Sequence, residues 1–159
     1  MKTVILLRHA EAYPTEFSGY DHERPLSVVG WSQVEKIRRI YADLWPSVDL
    51  IICSTRKRTL QTLQALETAL RPDVCKMMDH RLHTATGEDL LDLIHWAPDW
   101  VQTLLIVGHN PGLTQCCHLL DPNTSIGTLD TCGVAVFPSS RANTEETDDE
   151  VEASSSSLS

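Results

Sequence analysis

Two histidines and a cluster of arginines stand directly behind apolar runs, and their side chains suit phosphate chemistry. Val4-Ile5-Leu6-Leu7 stops on Arg8 and His9, Leu104-Leu105-Ile106-Val107 leads through Gly108 to His109, and Leu50-Ile51-Ile52-Cys53 opens onto Ser54-Thr55-Arg56-Lys57-Arg58-Thr59. Guanidinium groups match phosphoryl oxygens with two parallel donors, and a neutral imidazole can attack phosphorus. Any one of these histidines alone is more often structural. Two arginines and two histidines meeting in one crevice would make a phosphoryl-transfer site.

For the four to meet, the apolar runs must be neighbouring strands. Runs of four to six apolar residues rich in Val and Ile read as buried strands. In an open α/β sheet, ligands bind just outside the carboxyl ends of such strands. The pattern predicts strands at 4–7, 48–53, 74–78, 103–107 and 133–137. It predicts helices at 29–44, 60–70, 87–95 and 112–120, with Ser27 capping the first and Pro111 in the first turn of the last. Residues 13–26, rich in Pro, Gly, Ser and Asp, read as a long loop beside the first strand end. Alternating strands and helices give an α/β fold, a mostly parallel central sheet between two helical layers.

The 159 residues allow one domain, expected at 1–140, and a tail at 141–159 that is acidic, Ser-rich and too poor in apolar residues to fold alone. The net charge of −9 argues against a nucleic-acid surface. No run approaches the roughly 18–20 apolar residues of a membrane span, and the first residues lack the apolar core of a signal peptide. Five cysteines without CxxC spacing read as free thiols packed in a reducing compartment, so a cytoplasmic location is expected; a monomer is expected as well. Trp31, Trp45, Trp96 and Trp100 read as core and helix-end packing. His80, His83, His95 and His118 read as surface or packing residues.

Four motifs in order extend this reading. Leu7-Arg8-His9-Ala10-Glu11, Arg24-Pro25-Leu26-Ser27-Val28-Val29-Gly30, Ser54-Thr55-Arg56-Lys57-Arg58-Thr59-Leu60-Gln61-Thr62 and Val107-Gly108-His109-Asn110-Pro111-Gly112-Leu113 resemble the landmarks of the histidine phosphatase superfamily. The likeness runs from about Val4 to Phe137 and is nearest to the small phosphohistidine phosphatases of the sixA type. It implies a phosphoglycerate mutase-like fold and a phosphatase without metal or other cofactor. His9 would be the nucleophile, Arg8 and Arg58 would bind the phosphoryl oxygens, and His109 would donate to the same oxygens. The expected partner is a protein carrying phosphohistidine, or else a small phosphorylated molecule.

The chain departs from the family pattern in three places. Ala10 stands where glycine is usual. Ser54-Thr55 stands where Ser-Pro is usual, which leaves Arg56 competing with Arg58 for the pocket. The third departure is the absence of a clear carboxylic acid to protonate a leaving alkoxide. Glu88, with Asp89 beside it, occupies a comparable place, and both also suit the first turn of a helix. Phosphohistidine, whose leaving nitrogen can take a proton from solvent, needs such an acid less than an ester does. In the loop, Ser18, Asp21, His22, Glu23 and Arg24 are placed to contact the substrate or brace the pocket. Two rivals remain: a phosphatase of small phosphoesters or sugar phosphates, and a phosphate-binding module without catalysis.

Overall fold

A computed structural model describes Met1 and residues 3–138, the side chains of Phe17 and Ser18 excepted. The acidic tail expected at 141–159 lies outside the described residues. The chain order is β1 (Thr3–Arg8), a short α1 (Thr15–Ser18), α2 (Val28–Ile40), β2 (Leu50–Cys53), α3 (Lys57–Leu66), β3 (Cys75–Met78), α4 (Gly87–Trp96), β4 (Thr103–Gly108), α5 (Gly112–Leu120) and β5 (Val134–Pro138).

The five strands form one sheet in the order β3-β2-β4-β1-β5. β4 inserts between β1 and β2, and these pairs and β2–β3 are parallel, while β5 runs antiparallel to β1. Arg8 is level with Gly108, and Cys53 with Val107. The three central strands therefore end together, at one edge of the sheet.

Alternate residues of each central strand feed two cores, as the period of a strand requires. Val4, Leu6, Leu50, Ile52, Leu104 and Ile106 pack with Leu90, Ile94, Leu113 and Cys117 of α4 and α5. Ile5, Leu7, Ile51, Leu105 and Val107 pack with Val34 and Ile37 of α2 and Leu63 and Leu66 of α3. Both faces are covered, which makes a three-layer α/β/α fold. Each fully buried Ile or Leu contributes about 1.5–3 kcal/mol. This packing holds the strand ends in place.

Several element ends differ from expectation. α2 stops at Ile40 because Trp45 turns back, fully buried, and donates its indole N–H to the Ile37 carbonyl at 3.1 Å. α3 begins three residues early, at Lys57, because its first turn buries Arg58 and Thr59, polar residues that an apolar period does not register. The loop at 13–26 contains α1, a helical turn at Asp21–Glu23 and an antiparallel bridge between Ala12 and Leu26. Of the four tryptophans only Trp45 is core, since Trp31, Trp96 and Trp100 are exposed. Four cysteines are buried free thiols, as expected, but Cys75 lies exposed on the edge strand β3. Among the described residues no helix is long and apolar enough to cross a membrane.

Candidate active site

His9 follows the last residue of β1, where its own main chain is held on two sides. Its N–H donates to the Gly108 carbonyl at 3.1 Å, and its carbonyl accepts from Cys132 N–H at 2.9 Å. Cys132 adopts a left-handed backbone, φ 57°, as it delivers that bond. The His9 side chain is 8% exposed, and Nδ1 lies 2.7 Å from the Ala10 carbonyl oxygen. A carbonyl can only accept, so Nδ1 carries the hydrogen and the lone pair resides on Nε2.

The next residues tie this strand end to two helices. Ala10 N–H donates to the Thr62 hydroxyl at 3.0 Å, and the same hydroxyl donates to the Arg58 carbonyl at 2.7 Å. Glu11 N–H donates to the Gln33 side chain, and the Glu11 carboxylate accepts from Ser27 Oγ at 2.6 Å. Ser27 caps α2 by accepting from Gly30 N–H, as its position suggested. A side chain at position 30 would run into the Glu11 carbonyl, so glycine here lets α2 approach the strand end closely.

Arg8, His9, Glu11, Ala12, Arg24, Arg58, His83, His109, Asn110 and Thr131 line one cavity of about 340 Å³. Four groups singled out by the strand-end pattern, Arg8, His9, Arg58 and His109, thus share a pocket large enough for a phosphoryl group. The His9 and His109 rings lie 5.4 Å apart, and His109 Nε2 is 2.7 Å from Ser54 Oγ. Arg8 Nη1 donates to the Leu129 carbonyl at 3.1 Å. Arg58, almost wholly buried, donates to the Asp21 carbonyl at 2.9 Å and meets the Asp21 carboxylate at 3.4 Å. Arg24 donates to the Tyr13 carbonyl at 2.7 Å and also reaches Asp21.

Among the described residues four buried side-chain nitrogens have no hydrogen-bond partner: Arg8 Nε, Arg58 Nε, His83 Nδ1 and His109 Nδ1. All four belong to residues lining this cavity. Buried polar nitrogens without partners are costly, and the two arginine nitrogens among them can only donate, so their concentration here marks a site shaped for an oxyanion.

Burial lowers the His9 imidazole to about 4, against the opposing hydrogen bond to Ala10 and with help from Arg58, Arg8 and Arg24. Burial likewise lowers His109 to about 3, with Arg58, His9, His83 and Arg56 adding to the effect. Both rings are neutral at neutral pH. The unfolded imidazole, near 6.5, takes up a proton that either folded site refuses until the pH falls lower still. Stability from these two groups is therefore complete above about pH 6.5 and is lost as pH falls toward 4, by on the order of 2 kcal/mol each near pH 4.5. Urea midpoints measured at about pH 7 and pH 4.5 should show a smaller decline for His109→Asn than for the parent chain.

The other sequence candidates are placed as follows. Arg24 lines the pocket, while Arg56, half-buried at the N-cap of α3, acts on it through its charge on His109 and His83. Ser18 ends α1, and its side chain lies outside the described residues. Glu88 sits in the first turn of α4, lining a separate hollow with Thr86, Thr114, Gln115 and His118. Asp89 completes a capping box with Thr86. Of the two, neither lines the cavity of His9.

His83 is the residue that sequence reasoning missed. It lines the cavity, its ring meets His109 edge to face at 5.0 Å, and its Nε2 lies 3.7 Å from the Asp21 carboxylate. The available signal was the strand predicted at 74–78: β3 also ends at this edge of the sheet, and His83 follows five residues later on a helical turn, His80–His83.

Residues 4–83 match the family described as histidine phosphatase superfamily (branch 1). An uncharacterised chloroplastic protein of Arabidopsis thaliana is 30% identical over 150 residues, which are 86% of this chain and 66% of that protein. The chain thus spans just under two thirds of this relative's length. Among solved structures, the SixA protein of Agrobacterium tumefaciens, a candidate phosphohistidine phosphatase, is 29% identical with a TM-score of 0.76, covering 86% of this chain and 91% of its own. The protein histidine phosphatase SixA in complex with tungstate shares the fold, at 18% identity and a TM-score of 0.74 over 84% of this chain and 86% of that one.

Proposed function

The chain belongs to branch 1 of the histidine phosphatase superfamily, and from that premise we propose that it is a phosphatase working through a phosphohistidine on its own His9. One observation carries the reading: a neutral His9, with Nδ1 committed to Ala10, shares a cavity with Arg8, Arg24, Arg58 and His109. His9 Nε2 attacks phosphorus, the leaving group departs, and water then hydrolyses the phosphoimidazole to release phosphate. The guanidinium groups of Arg8 and Arg58 and the N–H of His109 stabilise the charge spread over the transferring oxygens, where burial makes each donor count for more than it would in water. Residues 1–140 form the catalytic domain on this reading.

The favoured substrate is a protein bearing phosphohistidine. The carboxylate that lines the described cavity, Glu11, is engaged by Ser27, Glu88 lies elsewhere, and Asp21 is held ionised by Arg58, Arg24 and His83, so among the described residues no protonated carboxylic acid is poised beside an ester oxygen. A phosphoramidate suits such a pocket. The test compares phosphate release from a phosphohistidine peptide and from the phosphoserine peptide of the same sequence. Release from phosphohistidine at least about tenfold faster supports the reading. Equal or faster release from phosphoserine favours a phosphoester substrate, and binding of both without release indicates a module without catalysis.

A further inference from the structure

We propose that His83, seated against Asp21, is the proton donor to the leaving group when the substrate is an ester. The inference rests on the covalent chemistry of His9 and deepens it, since it decides which leaving groups the pocket can expel.

The lining of the cavity leaves few alternatives. Four of its described residues can carry a transferable proton: His9, Glu11, His83 and His109. His9 is the nucleophile. Glu11 accepts a 2.6 Å hydrogen bond from Ser27 Oγ, and His109 Nε2 is engaged by Ser54 Oγ at 2.7 Å. His83 Nε2 has instead a carboxylate at 3.7 Å, beyond hydrogen-bond distance, and the side chain is 27% exposed. It stands against the ring of His109, whose other neighbour is His9. An imidazole beside a carboxylate can both hold a proton and give it up.

The charges around His83 make its protonation depend on the substrate. Burial, Arg56 at the N-cap of α3 and Arg58 on α3 together hold the free His83 below the usual imidazole range, and Asp21 from the loop after β1 offsets them only in part. Asp21 is itself held ionised: burial opposes this, but Arg58, Arg24 and His83 outweigh it. A bound phosphoryl dianion brings negative charge to the same arginines and relieves their repulsion of the imidazolium. The bound ester thereby raises the affinity of His83 for the proton it is to give up. As the bond between His9 Nε2 and phosphorus forms and the P–O bond breaks, the electron pair of that bond goes to the leaving oxygen together with the proton of His83. Water next attacks the phosphohistidine, gives a proton to neutral His83 and releases phosphate, which restores both imidazoles.

The experiment reads phosphoenzyme formation by rapid quench with two esters, an alkyl phosphate and 2,4-dinitrophenyl phosphate, whose leaving anion needs no proton. His83→Gln should slow the alkyl ester by about a hundredfold and the dinitrophenyl ester by less than about threefold. The basic limb of the alkyl-ester pH profile should vanish with it. Equal losses on both esters, or an unchanged pH profile, overturn the assignment. If His83→Gln does not fold, His83→Asn serves in the same comparison. Should the parent chain form no phosphohistidine from either ester, the covalent reading has failed. Should it do so while the variant keeps the parent's ratio between the esters, only the role of His83 has failed.

Discussion

His9→Ala is expected to reduce phosphate release from an aryl phosphate by at least about 10⁴-fold while the protein stays folded. The fold should survive because the bonds that fix this position are made by the main chain: His9 N–H to Gly108, and the His9 carbonyl to Cys132 N–H. What disappears is the nitrogen that attacks. The arginines and His109 would still bind the dianion, so affinity for inorganic phosphate should change far less than turnover. Rapid quench should trap acid-labile, alkali-stable phosphate on the parent chain and none on the variant. Turnover retained by His9→Ala, or label that persists in it, would refute the covalent mechanism.

Arg58→Ala should lower kcat by about 10²–10³-fold, because a donor aimed at developing charge acts mainly in the transition state. Arg58→Lys should recover little of this, since a single ammonium cannot reproduce the planar fork. Arg56→Ala should cost less than about tenfold, in keeping with a side chain that reaches the site through its charge rather than by lining it. Arg58 is also the principal cation beside Asp21. Its removal leaves that carboxylate with Arg24 and His83. Because Asp21 is 45% exposed, thermal stability should fall only slightly. Steady-state kinetics of the three variants on one aryl phosphate would measure this order directly. Equal losses for Arg56→Ala and Arg58→Ala would show that the two arginines share the task.

Much of this site was legible because the strands announce themselves. Val4 to Leu7, Leu50 to Cys53 and Leu104 to Val107 are buried on both faces, so each reads as an unbroken apolar run, and the first polar residue after each marks a strand end. Arg8, His9, Ser54 and His109 followed from that rule alone. Residues that reach the cavity from irregular segments were harder to place. Asp21 lies on a helical turn within a loop without period, and its pairing with Arg58 joins positions 37 residues apart. His83 likewise follows a four-residue strand that is mostly exposed, on the edge of the sheet, where hydropathy gives little warning. The start of α3 at Lys57 escapes the apolar pattern for a related reason: the burial of Arg58 and Thr59 is set by hydrogen bonds to Asp21 and Ser54, not by apolar periodicity.

The Thr62 hydroxyl, which accepts from Ala10 N–H and donates to the Arg58 carbonyl, couples attacker and clamp mechanically. A thermal shift of α3 against the sheet carries the main chain beside His9 and the main chain of Arg58 in the same sense. Such common-mode displacement leaves the spacing between them nearly constant, whereas differential displacement would have to break a buried hydrogen bond first. Near-attack geometry is sensitive to errors of about 1 Å. One hydroxyl is therefore placed as a tie rod between the strand end that carries His9 and the helix that carries Arg58.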